Sequence, residues 1–194
     1  MSTKPWRLQR KPFLTPSWVS VLGLLAMMSF FAFEVWAWVT ADSTTIIVIR
    51  HAEKEPDSGG DPPGGDPPLA AAGQARAELL ARMFGDAGDP GHIDAIYVSP
   101  TLRNRMTAAP LAAKLNLAPI VAPPRDARSL ARRVLHEHSG GRVLIVGHSD
   151  TMIGIVESLT GAKRLPAIRE DEYDTMYVVT VPSIGRADFL RVTY

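Results

Sequence analysis

The most constraining feature of this chain is a stretch of 22 residues without a charged side chain, residues 12–33. A helix that crosses a bilayer needs about 20 consecutive, mostly apolar residues, and this stretch is long enough. Four basic residues lie between Lys4 and Lys11, and basic residues favour the cytoplasmic flank of a membrane helix. The segment therefore predicts a membrane anchor or a secretory signal ahead of the domain that follows.

This segment can either remain as a membrane anchor or be cleaved as a signal peptide. Trp36 suits the far interface of a membrane helix, whereas Val39 and Ala41 fit the small-residue positions before a signal-peptidase cut. Because the apolar run exceeds the about 7–15 residues of a signal core, we expect an uncleaved anchor through residues 12–39, with a cleaved signal as the alternative. In either case residues 42–194 are expected in the periplasm or exterior, tethered to the inner membrane if the anchor persists.

The chain therefore consists of an N-terminal segment, residues 1–41, and one further domain, residues 42–194. This domain has 17 basic and 19 acidic residues. This length supports one hydrophobic core rather than two. The near-neutral charge gives no basic surface for nucleic acid. The chain has no cysteine, which excludes disulfides and thiolate nucleophiles. Any chemistry must come from histidine, arginine, hydroxyl or carboxyl groups.

Short apolar runs alternate with helical patterns after residue 41, as in an α/β domain with a mostly parallel sheet. The predicted strands are 44–50, 95–99, 119–123 and 142–147, and the predicted helices are 69–84, 101–115, 125–138 and 151–160. Residues 174–181 and 187–194 flank a PSIGR turn and predict an antiparallel C-terminal hairpin. We expect a single-domain three-layer sandwich with helices on both faces of the sheet.

Local signals refine these elements. Pro110 should break or kink the helix that contains it, because its nitrogen cannot donate to the preceding turn. Ser149 or Asp150 is expected to cap the last helix, and Gly161 to end it. The repeat GGDPPGGDPP, residues 59–68, predicts a loop that is either a neutral insertion or a lid over a pocket.

Arginine and histidine side chains follow three predicted strands at the point where each strand ends. Arg50 and His51 end IIVIRH, Arg103 and Arg105 follow IYVSP, and His148 follows VLIVG. The carboxyl ends of parallel strands meet at one edge of a sheet, where ligands bind. Guanidinium groups bind phosphate oxygens, and imidazole is a nucleophile or a donor. The sequence therefore predicts a pocket for a phosphate-like dianion.

Four segments in order, IRHAEK, PPLAAAGQARA, SPTLRNRMTA and VGHSDT, also carry a family resemblance. They resemble the RHG signature, the L-T-x-x-G-x-x-x-A segment, the S-P-L-x-R-A-x-Q-T-A segment and the second histidine motif G-H-S-N-T of the histidine phosphatase (phosphoglycerate mutase-like) superfamily. The resemblance covers nearly all of residues 44–194 and points to a small single-domain bacterial type. Ala52 replaces the usual Gly, Met106 replaces Gln and Asp150 replaces Asn.

The resemblance implies that His51 is the nucleophile that accepts the phosphoryl group. It implies that Arg50, Arg103 and His148 bind the phosphoryl oxygens and stabilise charge during transfer. Arg103 rather than Arg105 matches the family position, which leaves Arg105 as a residue of the helix surface. No metal and no organic cofactor is expected.

The general acid is not identified by the resemblance. The candidates are Asp126, Glu53 and Asp150, and Asp126 is preferred because it lies just past a predicted strand. Its other role would be to cap the helix that begins there. A phosphate ester with a good leaving group needs no acid. The acidic run EDEY, residues 170–173, is interpreted as a solvated loop face.

Rival functions are weighed against a phosphatase. GHSDT resembles the nucleophile elbow of a serine hydrolase, but no histidine follows Ser149 to complete a triad. A metal site built on the His-x-acid pairs at His51 and His148 would suffer repulsion from Arg50. A tethered phosphate-binding protein without turnover, and a protein phosphohistidine phosphatase, stay as alternatives.

We expect hydrolysis of small phosphomonoesters through a phosphohistidine on His51. Hydrolysis is preferred over mutase activity because so small a domain has no insertion to shield the intermediate from water. The physiological substrate and the oligomeric state are not indicated.

Overall fold

A computed structural model of the chain describes residues 17–39, 42–56, 65–86, 91–123 and 126–194. The chain divides into two units, residues 1–41 and residues 42–194, and each is described by itself. In the first unit, helix α1 (Ser17–Val39) contains a span, Trp18–Trp36, with a mean hydropathy of 1.9 and none of it buried. Its length and composition allow it to cross a membrane, and a signal sequence would have the same properties.

The second unit is an α/β domain with a six-stranded sheet. Its elements in chain order are β1 (Ser43–Arg50), α2 (Ala71–Gly85), β2 (Ala95–Val98), α3 (Leu102–Leu115), β3 (Ile120–Val121), α4 (Ala127–Glu137), β4 (Arg142–Gly147), α5 (Ser149–Thr160), β5 (Thr175–Pro182) and β6 (Asp188–Thr193). The strand order is β3-β2-β4-β1-β5-β6. The first four strands pair in parallel, and β5 and β6 pair antiparallel at one side.

Both faces of the sheet are covered, because alternate side chains of each central strand enter different cores. In β1, Ile46 and Val48 join a core formed with α4 and α5. Ile47 and Ile49 join the opposite core, formed with α2 and α3. A strand buried on both faces appears in sequence as a continuous apolar run. The expected three-layer α/β sandwich with a C-terminal antiparallel hairpin is confirmed.

Three details differ from the sequence expectations. The third strand is limited to Ile120–Val121, which pairs with the end of β2. Helix α3 continues through Pro110 without a break, since Leu111 next to it is fully buried in the core. Helix α5 begins at Ser149, so this residue does not precede the helix as its cap.

The cap of α5 is His148 rather than Ser149 or Asp150. The backbone N–H of His148 donates to Thr151 Oγ1 at 2.9 Å, and that hydroxyl donates to the carbonyl of His148 at 3.0 Å. Gly161 ends the helix with a φ of 72°, as expected, because glycine adopts this left-handed conformation without strain.

The described parts of the loop after β1 are fastened to each other. Lys54 and Leu69 form an antiparallel bridge, and the carbonyl of Glu53 accepts a hydrogen bond from the N–H of Ala70 at 2.9 Å. The proposed lid, the GGDPP repeat, falls largely on residues 59–64, which lie outside the described residues.

Gly73 lies where α2 passes closest to the segment after β1. A Cβ atom at this position would lie 2.2 Å from the carbonyl oxygen of Glu53, which is backbone and cannot swing away. A Gly-to-Ala change inside a helix ordinarily stabilises by about 1 kcal/mol. Here the clash makes the Gly73→Ala change destabilising instead, since overpacking costs about 1–3 kcal/mol.

We predict that Gly73→Ala lowers the thermal unfolding midpoint of the domain by several degrees, measured by circular dichroism on the full chain. Gly85→Ala, in the same helix, is the matched control. The three atoms nearest to its new Cβ belong to the flexible side chain of Lys114, which can move aside, so its midpoint should fall less than that of Gly73→Ala. A Gly73→Ala variant as stable as the wild type would contradict the steric argument.

Candidate active site

The predicted site residues meet at the carboxyl edge of the parallel strands. Arg50 is the last residue of β1 and is paired with Gly147 at the end of β4. The N–H of His51 donates to the carbonyl of Gly147 at 2.9 Å, so His51 and His148 leave neighbouring strands side by side. Their imidazole rings lie 5.3 Å apart between centroids, at an interplanar angle of 69°.

His51 is held in one tautomer. Its Nδ1 lies 2.8 Å from the carbonyl oxygen of Ala52, and because a carbonyl only accepts, Nδ1 carries the proton. In the neutral ring the lone pair is therefore on Nε2. Ala52 is itself fixed, since its N–H donates to Thr107 Oγ1 at 2.9 Å. The ring is positioned with a free nucleophilic nitrogen.

The environment keeps His51 neutral. The pKa of His51 is lowered from 6.5 to about 4, chiefly by burial and also by the positive charges of Arg103 and Arg50, while the hydrogen bond to Ala52 opposes the shift. The pKa of His148 is lowered by the same causes, burial first and then the charge of Arg103. Near pH 7 both rings can therefore be uncharged beside two guanidinium groups.

Arg50 is held by backbone carbonyls of a loop that is distant in sequence. Its Nη1 donates to the carbonyls of Arg169 at 2.9 Å, Glu170 at 2.8 Å and Glu172 at 3.1 Å. The ring of Tyr173 stacks on the guanidinium, with Cζ 4.2 Å from the ring centroid. Nε of Arg50 is buried and lacks a partner within the described parts of the chain, which leaves a donor for a bound anion.

Arg103 lies in the first turn of α3 and is held by the described end of the GGDPP repeat. Asp66 accepts a hydrogen bond from the N–H of Leu102 at 2.5 Å, and its other oxygen lies 3.4 Å from Nη1 of Arg103. Nε of Arg103 is also buried, with no partner among the residues described. Arg105 is exposed on the same helix.

The ring of His148 is oriented by two side chains. Its Nε2 lies 3.1 Å from Ser99 Oγ and 3.3 Å from Asn104 Nδ2. Ser99 directly follows β2, and Asn104 is fully buried in the first turn of α3. These contacts tie the ends of β2 and β4 and the start of α3 into one polar cluster.

The four predicted residues border a common pocket of about 320 Å³. Its described lining consists of Arg50, His51, Lys54, Arg103, His148, Ser149, Glu170 and Tyr173. A pocket of this size is at the small end of the range for ligand sites, about 300–1,000 Å³. With neutral histidines the lining has three cationic groups and one carboxylate, which favours an anionic ligand.

The three acid candidates from the sequence do not border this pocket. Glu53 forms an ion pair with Arg76 at 2.6 Å; burial raises its pKa, but the hydrogen bonds and charge of Arg76, a backbone hydrogen bond and the charge of Arg50 together lower the net pKa. Asp126 caps α4 by accepting from the N–H of Ser129 at 2.9 Å, which is its alternative role. Asp150 is exposed and accepts from the N–H of Thr151 at 2.8 Å.

The sequence reasoning did not identify the contribution of residues 169–173. The EDEY run was interpreted as a solvated face, yet Glu170 and Tyr173 border the pocket. Lys54 and Ser149 also line it and were not assigned to it. No described group of three or more His, Cys, Asp or Glu side chains is arranged to hold a metal ion.

The lowered pKa of His51 makes stability depend on pH. Between pH 6.5 and about pH 4 the unfolded chain binds a proton at His51 that the folded protein does not, so the free energy of unfolding falls as the pH falls. We predict that the unfolding midpoint decreases between pH 7 and pH 4.5, and that it decreases less in His51→Gln. Equal slopes for the two proteins, measured by circular dichroism, would contradict the shift.

Known proteins resemble this chain in sequence and in fold. Residues 46–125 match the Histidine phosphatase superfamily (branch 1). Phosphoserine phosphatase 1 of Hydrogenobacter thermophilus is 38% identical over 73 residues, which are 37% of this chain and 33% of that protein. The match thus spans only about a third of the length of this curated relative.

Solved structures share the fold at low sequence identity. The protein histidine phosphatase SixA, complexed with tungstate, superposes with a TM-score of 0.60 at 21% identity, over 77% of this chain and 96% of that chain. A mycobacterial glucosyl-3-phosphoglycerate phosphatase gives a TM-score of 0.59 at 15% identity, over 78% of this chain and 98% of that chain. The family match includes the strand ends that carry Arg50, His51 and Arg103, and the fold agrees over nearly the full length of these structures. The domain therefore has the histidine phosphatase fold, and residues 46–125 match that superfamily in sequence.

Proposed function

We propose that the domain hydrolyses phosphomonoesters through a covalent phosphohistidine on His51. The observation that carries this proposal is the hydrogen bond from Nδ1 of His51 to the carbonyl of Ala52. It directs the lone pair to Nε2 in a ring whose pKa is lowered to about 4 by burial and neighbouring cations. A neutral imidazole beside two arginines is a nucleophile placed next to an anion site.

The chemistry has two balanced steps. In the first, Nε2 of His51 attacks phosphorus, an N–P bond forms, and the bond to the leaving oxygen breaks with its electron pair departing on that oxygen. In the second, a water oxygen attacks phosphorus, the N–P bond breaks, and the imidazole regains its lone pair as phosphate leaves. Arg50, Arg103 and His148 bind the phosphoryl oxygens throughout. The two arginines supply the positive charge, and the proposed reaction uses no metal and no organic cofactor.

A small phosphoester is the proposed substrate. The pocket volume of about 320 Å³ suits a phosphorylated metabolite, and two of the similar proteins are named for small substrates, phosphoserine and glucosyl-3-phosphoglycerate. The likeness to a protein histidine phosphatase keeps a phosphohistidine protein as the second candidate. The reaction releases the phosphoryl group to water rather than to a second substrate.

The proposed location is the inner membrane, with the domain in the periplasm or exterior. The apolar helix Ser17–Val39 and the basic residues ahead of it support an anchor in that orientation. A cleaved signal would deliver the same domain to the same compartment without the tether. A periplasmic location favours a small or envelope-associated phosphoester over a cytosolic phosphoprotein.

The covalent intermediate separates turnover from mere phosphate binding. We predict that wild-type protein mixed with ³²P-labelled phosphoester and quenched in base retains label, and that later treatment of the same sample with acid releases it. His51→Ala should lose both this label and hydrolysis of 4-nitrophenyl phosphate, because it lacks the attacking nitrogen. Undiminished hydrolysis by His51→Ala would overturn the mechanism, and binding without hydrolysis in the wild type would indicate a binding protein.

The two arginines of α3 give a matched pair of substitutions. We predict that Arg103→Ala lowers kcat/KM for 4-nitrophenyl phosphate by about 100- to 1,000-fold, the usual cost of removing one donor to a transition-state oxygen. Arg105→Ala removes the same charge from an exposed position two residues away and should change kcat/KM by less than threefold. Similar losses in both variants would show that net charge, rather than contact with the phosphoryl group, determines the rate.

A further inference from the structure

We propose that Glu170 is the general acid that protonates the leaving group, an inference that rests on the proposed phosphatase function. Glu170 belongs to the loop between α5 and β5, which the sequence analysis had assigned to solvent. Among the described residues that line the pocket, Glu170 is the one acidic residue.

The other nearby carboxylates are engaged elsewhere. Glu53 is bound by Arg76, and Asp150 accepts the N–H of Thr151 in the first turn of α5. Asp66 is held by the N–H of Leu102 and by Arg103. None of these three is among the described lining residues of the pocket. A carboxylate that receives hydrogen bonds from cations and backbone N–H groups is a poor proton donor, since those bonds favour its ionised form.

The backbone of Glu170 is fixed relative to the phosphate site. Its carbonyl accepts from Nη1 of Arg50 at 2.8 Å, and the carbonyls of Arg169 and Glu172 accept from the same nitrogen. Tyr173, which completes the loop, stacks on Arg50 and has its ring 6.0 Å from that of His51. The loop therefore places Glu170 beside the pocket by contacts that do not use its carboxyl group.

The proposed nucleophile and the proposed acid differ in how deeply they are buried. Both residues line the pocket, but His51 is 4% exposed, whereas Glu170 is exposed. In a phosphoryl transfer the attacking and leaving atoms lie roughly in line with phosphorus. In the proposed mechanism, attack by the buried His51 directs the leaving oxygen away from the core toward solvent, where the exposed Glu170 can protonate it.

A single carboxyl group can carry out all the proton transfers that the reaction needs. A phosphomonoester monoanion brings a proton, which passes to Glu170 as the dianion binds the arginines. Glu170 then gives this proton to the leaving oxygen as the P–O bond breaks, and an alcohol departs. The resulting carboxylate takes a proton from the water that attacks the phosphohistidine and passes it to the departing phosphate, which leaves as its monoanion, so that His51 and the Glu170 carboxylate are both restored.

The test compares leaving groups, because an acid matters most for a poor one. For the full chain in detergent, kcat/KM would be measured with 4-nitrophenyl phosphate, phenyl phosphate, glycerol 2-phosphate and O-phosphoethanolamine. We predict that Glu170→Gln lowers kcat/KM for glycerol 2-phosphate by about 100-fold or more, as expected for loss of acid catalysis. The loss with 4-nitrophenyl phosphate should be at least tenfold smaller, since nitrophenolate departs without a proton.

The matched control is Glu78→Gln, which removes the same charge from an exposed position on α2 and should match the wild type on every substrate. An equal loss across the leaving groups, or no loss with glycerol 2-phosphate, would overturn the acid role while leaving the phosphohistidine mechanism intact. A loss confined to O-phosphoethanolamine would also overturn it, because it would assign Glu170 to binding an ammonium group. A wild type that forms no phosphohistidine would instead refute the proposed function itself.

Discussion

The site depends on the parallel pairing of β1 with β4. Their register sets Arg50 opposite Gly147, and the hydrogen bond from His51 N–H to Gly147 O continues the pairing one residue beyond the strand. Two imidazoles are brought together by this register alone. A slip of one residue would turn every side chain of β1 to the opposite face. The apolar residues on both faces of β1 therefore fix the geometry of the candidate site as well as the core.

The two arginines are stabilised in different ways. Arg50 is held by three carbonyl dipoles and an aromatic face, which orient the guanidinium without neutralising its charge. Arg103 contacts the carboxylate of Asp66 at 3.4 Å and so shares part of its charge. Buried charge without a partner is costly, and neutral histidines reduce that cost. The result is an anion site whose dipoles are oriented before substrate arrives, as electrostatic catalysis requires.

The sequence predicts those parts of the fold and site that depend on local pattern. Runs such as IIVIR specify strands buried on both faces, and parallel strands necessarily bring their carboxyl ends together. That is why Arg50, His51 and His148 could be grouped without coordinates. The length of β3 was overestimated, because an apolar run in the sequence does not reveal how many of its residues pair with a neighbouring strand. The contacts that hold Arg50 come from carbonyls 119 to 122 residues away, and a backbone carbonyl leaves no signature in sequence.

The same carbonyls make the position of Arg50 independent of the side chains in the loop that holds it. Because Arg50 is held by the backbone of residues 169–172, the side chains of that loop are not needed for its position. Glu170 can therefore face the leaving group while its own carbonyl fixes the phosphate-binding arginine. The histidines and arginines at the strand ends are held in place by the packing of the core. In the loop, by contrast, only the backbone has to keep its position. Substrate preference can change through loop side chains with little effect on the residues that handle the phosphoryl group.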